Sequence, residues 1–532
     1  MFLDDRDRSR RRVVRMHELP ERLRAVADLM VSDVREGAGR HEYDGRTADL
    51  SPEGVITGLA RLGTGEPLED RHDEAHLLAF EDALRLSLGD LQLHRSNPLY
   101  HLGELDLACY DKEYAPAAER MAARERHLTA WPETVDSAIA ALDRVSAPVA
   151  TALLGTARGL ADAVPDDASE TLRAVALSAH ARLVGHLERA AAEGEPSAAL
   201  GGAALARLMG VPEAVEVDLG RLAERADAER NRLMERLTES VARIDSARPP
   251  LEVARELVRD HPDADGVVNA ARTWTEHAIA FTRERDLVPY HDGACRVETA
   301  PASRRWAMAM LTWAAAGEPD GPTYYHISPP DPGWPDVEAQ EWLEVFSATT
   351  LPGITVHEVA PGHFSHGRAL RRAPSPVRRT LFSPTFVEGW AHYAEELCVE
   401  EGFGPYAERT TSGSGFTAAH FEVGVWLEAL IRVTRLASAI GVHTGAMTVE
   451  EAALRFAADT HITGPAALSE ARRATFDPTY GRYTWGKLEI MELRERARRE
   501  WGPEFGTKRF HTAMLDLGAP PLGLLGTAVE RG

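Results

Sequence analysis

The stretch Thr355-Val356-His357-Glu358-Val359-Ala360-Pro361-Gly362-His363-Phe364 decides how the rest of the chain is read. Two histidines bracket a glutamate that directly follows the first. In zinc hydrolases this order has a mechanical reason: neutral imidazoles hold the ion, and the adjacent carboxylate faces the water that the ion activates. In the familiar spacing the histidines are four apart on one helix face, whereas His357 and His363 are six apart. Six residues of regular helix rotate a side chain by roughly 240°, so both rings could not reach one ion. Pro361 and Gly362 supply the remedy, since proline removes an amide donor and glycine tolerates a distorted backbone. The pair is expected to act as a two-residue insertion that returns His363 to the site.

A second informative stretch is Thr385-Phe386-Val387-Glu388-Gly389-Trp390-Ala391-His392-Tyr393-Ala394-Glu395-Glu396. Glu388 follows His363 by 25 residues, enough for an antiparallel helix return to deliver a third metal ligand. Gly389 allows close backbone approach, and Trp390 and Tyr393 can pack around the site. On one helix His392 and Glu395 share the face of Glu388, so both are candidates for orienting the ligands. Glu396 reads as part of a solvated charged face. Tyr324 and Tyr325 are candidates for lining a substrate channel.

Outward from these motifs, alanine, leucine, arginine and glutamate dominate, and they favour helix. Apolar residues recur at helical spacing over 17–35, 115–163, 167–195 and 217–259, with Asp218 as a plausible N-cap. Strand signals are confined to Thr323-Tyr324-Tyr325-His326-Ile327 and Gly353-Ile354-Thr355-Val356. The expected fold is mainly α, with a small β element near the middle. Residues 318–336 are dense in Pro and Gly and read as irregular, 410–416 read as a flexible loop, and 517–526 read as the end of the last helix.

Composition narrows the function classes. The chain has 532 residues and a net charge of -23, which disfavours nucleic acid and anionic membrane surfaces as partners. Cys109, Cys295 and Cys398 form no CxxC pair and read as free thiols in a reducing compartment. Residues 1–14 carry basic groups with no apolar run after them, so no secretory signal is read there. No segment is apolar enough to span a membrane, and a cytoplasmic location is the expectation.

HEVAPGH followed by FVEGWAHYAEE resembles the bacterial family catalogued as DUF885, a domain of formerly unknown function placed among zinc metallopeptidases. TYYHISPP, Gly441-Val442-His443, Tyr483-Thr484-Trp485-Gly486-Lys487-Leu488 and Phe510-His511 are similar to family features too. The resemblance implies one helical catalytic domain over 1–532, with lobes near 1–300 and 301–532. It implies a two-lobed metallopeptidase-like fold around a deep channel, akin to the angiotensin-converting-enzyme and oligopeptidase type. Carried over, it makes His357, His363 and Glu388 ligands of one Zn2+ per chain, Glu358 the general base and Tyr483 an oxyanion stabiliser. Two places depart from the family pattern: Ala439 stands where an aspartate is usual, and Asp477-Pro478-Thr479 replaces a Pro-Gly-Gln. The expected function is a zinc-dependent hydrolase, a metallopeptidase acting on short peptides. The alternatives are a metal-dependent amidase of a small metabolite and a catalytically silent helical binding protein.

Overall fold

The computed structural model describes residues 19–301, 304–305, 307–318, 321–411, 413 and 415–532. The basic stretch 1–14 and the start of the 17–35 segment lie outside these residues, as do parts of the 410–416 loop. The protein is mainly helical, with a small three-stranded sheet near the middle of the chain.

The N-terminal segment of helical spacing forms two helices, α1 (Glu21–Ala27) and α2 (Val31–Gly37). Leu29 between them is buried with Val26 and Val34, so packing holds the break where no Pro or Gly marks it. Further along come α3 (Arg71–Leu84), the short α4 (Leu99–Glu104), α5 (Ala117–Ala141), α6 (Ala147–Gly159) and α7 (Glu170–Glu193). The 217–259 segment is α8 (Leu219–Ala242) followed by α9 (Pro250–Leu257). Asp218 caps α8 as expected, accepting from the Arg221 amide at 3.0 Å.

After α10 (Val267–Glu284) the chain builds β1 (Cys295–Thr299), β2 (Ala309–Thr312) and β3 (Thr323–Ile327). The sheet order is β1-β3-β2, with β3 parallel to β1 and antiparallel to β2. The second strand expectation fails: Gly353–Val356 belongs to α11 (Leu351–Glu358). Its β-branched residues suit a strand by propensity, but seven of its eight residues are buried, and packing overrides that preference.

Four more helices complete the frame of the site. They are α12 (His363–Leu370), α13 (Pro384–Glu400), α14 (Ala418–Thr444) and α15 (Arg482–Trp501). Ser383 caps α13, accepting from Phe386 N at 3.1 Å, and Pro384 opens its first turn. Residues 517–526 do not end the last helix, because α16 (Gly526–Arg531) follows them. Among the described residues no helix is long and apolar enough to cross a membrane.

The principal core joins Leu205 to Val529 and draws on both sides of position 300. Separate clusters hold residues 102–187 together, and α1–α3 against Val377 and Leu381. In the principal core α13 is enclosed: Trp390, Tyr393 and Cys398 are at most 1 % exposed. It is pinned by a close crossing with α15. A Cβ on Gly389 would sit 2.5 Å from Gly486 Cα, and one on Gly486 would sit 2.1 Å from Thr385 O. Gly389→Ala should therefore lower stability by about 1–3 kcal/mol and displace the adjacent Glu388. A thermal melt and a zinc titration check this, and an unchanged variant in both would mean the two helices separate without cost.

Candidate metal centre

α11 ends at Glu358, directly after His357, and α12 begins at His363. The backbone between them shows how the extra spacing is absorbed. Val359 N still donates to Thr355 O, but Gly362 N then reaches back six residues to Val356 O at 3.1 Å. Ser365 N likewise reaches six residues back to Val359 O at 3.3 Å, after which His366 N to Gly362 O restores the four-residue step. Two residues are thus looped out of the helical ladder. A Cβ at Gly362 would lie 1.8 Å from His357 O, so only glycine fits the turn. Trp390 Nε1 donates to Pro361 O at 3.0 Å and ties the loop to α13.

The result brings His357, His363 and Glu388 together, with one donor atom of each within 4.8 Å of the others. Glu388 Oε2 lies 3.4 Å from His357 Nε2 and 3.4 Å from His363 Nε2. Two donors each about 2.1 Å from a tetrahedral ion stand about 3.4 Å apart. The donor set, and the spacing of Glu388 from each histidine, fit a tetrahedral zinc. Burial alone would drive the Glu388 carboxyl up, but hydrogen bonds and charge from the two histidines carry it well below the ordinary range.

Behind the ligands, Glu395 organises the site. His357 Nδ1 donates to Glu395 Oε1 at 2.6 Å, and Arg432 Nη1 donates to Oε2 at 2.8 Å. Glu395 engages Nδ1, so Nε2 is the nitrogen that faces Glu388 and would bind the ion. Glu395 is 0 % exposed, and its acidity is held by Arg432 and His392 against the cost of burial. His392 touches this group rather than the ligands, with Nδ1 3.6 Å from Glu395 Oε2. Glu428, one turn before Arg432 on α14, lies 3.6 Å from Arg432 Nη2.

Glu358 sits beside the three ligands. Burial raises its pKa, the His363 and His357 charges oppose that, and Glu388 adds to it. The Tyr483 ring stacks toward His357 with centroids 6.3 Å apart, and the guanidinium groups of Arg432 and Arg435 lie 5.7 and 5.5 Å from it. Burial pushes the Tyr483 hydroxyl up, so it keeps its proton and can donate.

The two strand tyrosines point to opposite faces of the sheet. Tyr325 is buried behind α11, its hydroxyl 3.5 Å from Thr355 Oγ1. On the opposite strand face Tyr324 stacks on His326 at 5.3 Å, with Arg296 5.7 Å from its ring. His366 is no ligand, since its Nε2 donates to Gly518 O. His443 fastens the chain at Ala474 O, 2.8 Å away. Glu396 corrects the expectation of a solvated face. It is 7 % exposed and pairs with Arg232 at 2.7 Å and Lys487 at 3.1 Å. Arg432 and Glu428 were missed, because a Glu and an Arg four apart on a helix look like a surface pair. The three cysteines are free.

The family profile described as "Bacterial protein of unknown function (DUF885)" matches residues 36–529. No curated protein matches the chain. Two solved structures share the fold. One is a protein of Shewanella oneidensis described as a candidate lipoprotein of unknown function, with TM-score 0.72 and 19% identity, covering 95% of this chain and 96% of its own. The other is a candidate lipoprotein of Colwellia psychrerythraea, with TM-score 0.73 and 16% identity, covering 96% of each chain.

Proposed function

We propose that this chain, which belongs to the DUF885 family, is a zinc-dependent hydrolase that cleaves short peptides. The observation that carries the reading is the placement of Glu388 Oε2 at 3.4 Å from both histidine Nε2 atoms, with Glu358 beside them. His357, His363 and Glu388 would hold the ion. Zinc, when bound there, supplies a Lewis acid and makes water a usable nucleophile near neutral pH.

The chain's own groups do the rest. Glu358 accepts a proton from the attacking water and returns it to the departing amine. Tyr483, protonated and beside His357, donates to the carbonyl oxygen as negative charge grows on it. Glu395 holds His357 in one tautomer throughout. Enclosure of these groups among helices suits a short flexible chain better than a folded protein.

The test is elemental analysis of the purified protein beside His357→Ala, paired with mass spectrometry of a defined peptide mixture. About one zinc per chain is expected, lost in the variant, with peptides cut only by the wild type. A protein that takes up no zinc even when it is supplied would favour the silent scaffold. Zinc without cleavage of any peptide would move the substrate to another class of amide.

A further inference from the structure

A cavity of about 450 Å³ opens beside the first turn of α13, the helix that carries Glu388 further along. Pro384 and Thr385 form part of its wall one turn before Glu388 on α13, and Arg482 forms part of it beside Tyr483 on α15. The remaining wall is largely apolar, with Leu29, Phe80, Leu88 and Leu208 among its residues.

Four carboxylates line this cavity, and three of them are already engaged. Glu104 accepts from Ser32 N at 3.1 Å and Ala48 N at 2.7 Å. Glu213 accepts from Ser383 Oγ at 2.8 Å and Leu522 N at 2.9 Å. Asp477 is paired with Arg482 and Arg473. The fourth, Asp33 in the first turn of α2, has no hydrogen bond or ion pair among the described residues, and its side chain is open to the cavity. Arg482 is the one cation in the wall among the described residues, and Asp477 already holds it. Asp33 is exposed, with its carboxylate on the cavity side. Desolvation by the protein behind it, followed by the charges of Glu104 and Glu36, pushes it up to about 6 against the opposing charge of Arg35.

We propose that this cavity is the substrate pocket and that Asp33 binds a primary ammonium carried on an apolar peptide residue. The ammonium is either the free amino terminus or a lysine side chain. The proposal rests on the hydrolase reading for the meaning of the pocket, but its test reads binding alone.

Three peptides separate the cases. Leu-Leu-amide carries only an α-ammonium, N-acetyl-Leu-Lys-amide only a side-chain ammonium, and N-acetyl-Leu-Leu-amide neither. Each is titrated calorimetrically into the zinc-loaded Glu358→Gln protein, which need not turn over, and into the same protein carrying Asp33→Asn. One ammonium-bearing peptide should bind about tenfold or more tighter than the neutral one, and Asp33→Asn should erase that preference. A preference for Leu-Leu-amide identifies an amino-terminal anchor, and a preference for the lysine peptide identifies a basic side-chain pocket. Equal binding of all three, no binding, or a preference that survives Asp33→Asn overturns the proposal. Ser87→Phe, which fills the cavity from another wall, should weaken all three peptides and stands in if Asp33→Asn does not fold. A wild type that holds zinc and cuts peptides while these titrations fail would sink the pocket and leave the hydrolase standing. The reverse result would sink the hydrolase.

Discussion

Glu358→Gln is expected to keep zinc at the wild-type level while peptide hydrolysis falls by roughly 10²–10⁴-fold, the usual worth of a positioned general base. Two neighbouring residues at the end of α11 divide the labour. His357 presents Nε2 to Glu388, whereas Glu358 is not among the three grouped donors. Glutamine matches the size of glutamate and leaves the ligands alone, but it cannot take a proton from water. Single-turnover cleavage and elemental analysis of the same preparation read the two properties separately. Retained cleavage would remove Glu358 from the proton path. Loss of zinc would make it a ligand rather than a base.

How much of this site could be read before the fold was known depends on how local each signal is. The six-residue spacing was readable as an insertion because Pro361 and Gly362 lie between the histidines. The ladder confirms it by shifting from four-residue to six-residue steps at Gly362 and Ser365. Glu395 was readable because seven residues of helix return to one face, and it does reach His357. The same logic pointed to His392, which lands on Glu395 instead. A helix face is broad enough to serve two neighbours, and sequence spacing does not separate them.

Where partners are distant in sequence, nothing local marks them. Glu396 looks like surface charge until Arg232 and Lys487 arrive from α8 and α15. Gly353–Val356 looks like a strand until the packing of α10, α13 and α14 on α11 is known, because a buried helix and a buried strand share the same short apolar run. The Gly389–Gly486 crossing was half visible: Gly389 suggested a close approach, but its partner 97 residues later did not identify itself.

Glu395→Ala should combine a loss of stability with a loss of metal, and the two can be pulled apart. Glu395 binds His357 through one oxygen and Arg432 through the other. Removing it strands the Arg432 guanidinium in a site where its side chain is 8 % exposed. Leaving one member of a buried pair uncompensated typically costs about 3–5 kcal/mol. Glu428, 3.6 Å away, can take part of that charge, which places the expected loss toward the lower end. Separately, His357 loses the acceptor that fixes its tautomer, and zinc affinity should fall roughly 10- to 100-fold. Glu395→Gln does not escape either effect. Its single amide oxygen can serve Arg432 or His357, but the other donor then meets an NH2 group. Adding Arg432→Met to Glu395→Ala removes the stranded charge, so the melting temperature should recover while zinc affinity stays low. If affinity recovers with stability, Glu395 acts only by holding the fold, and the His357 contact does not tune the metal site.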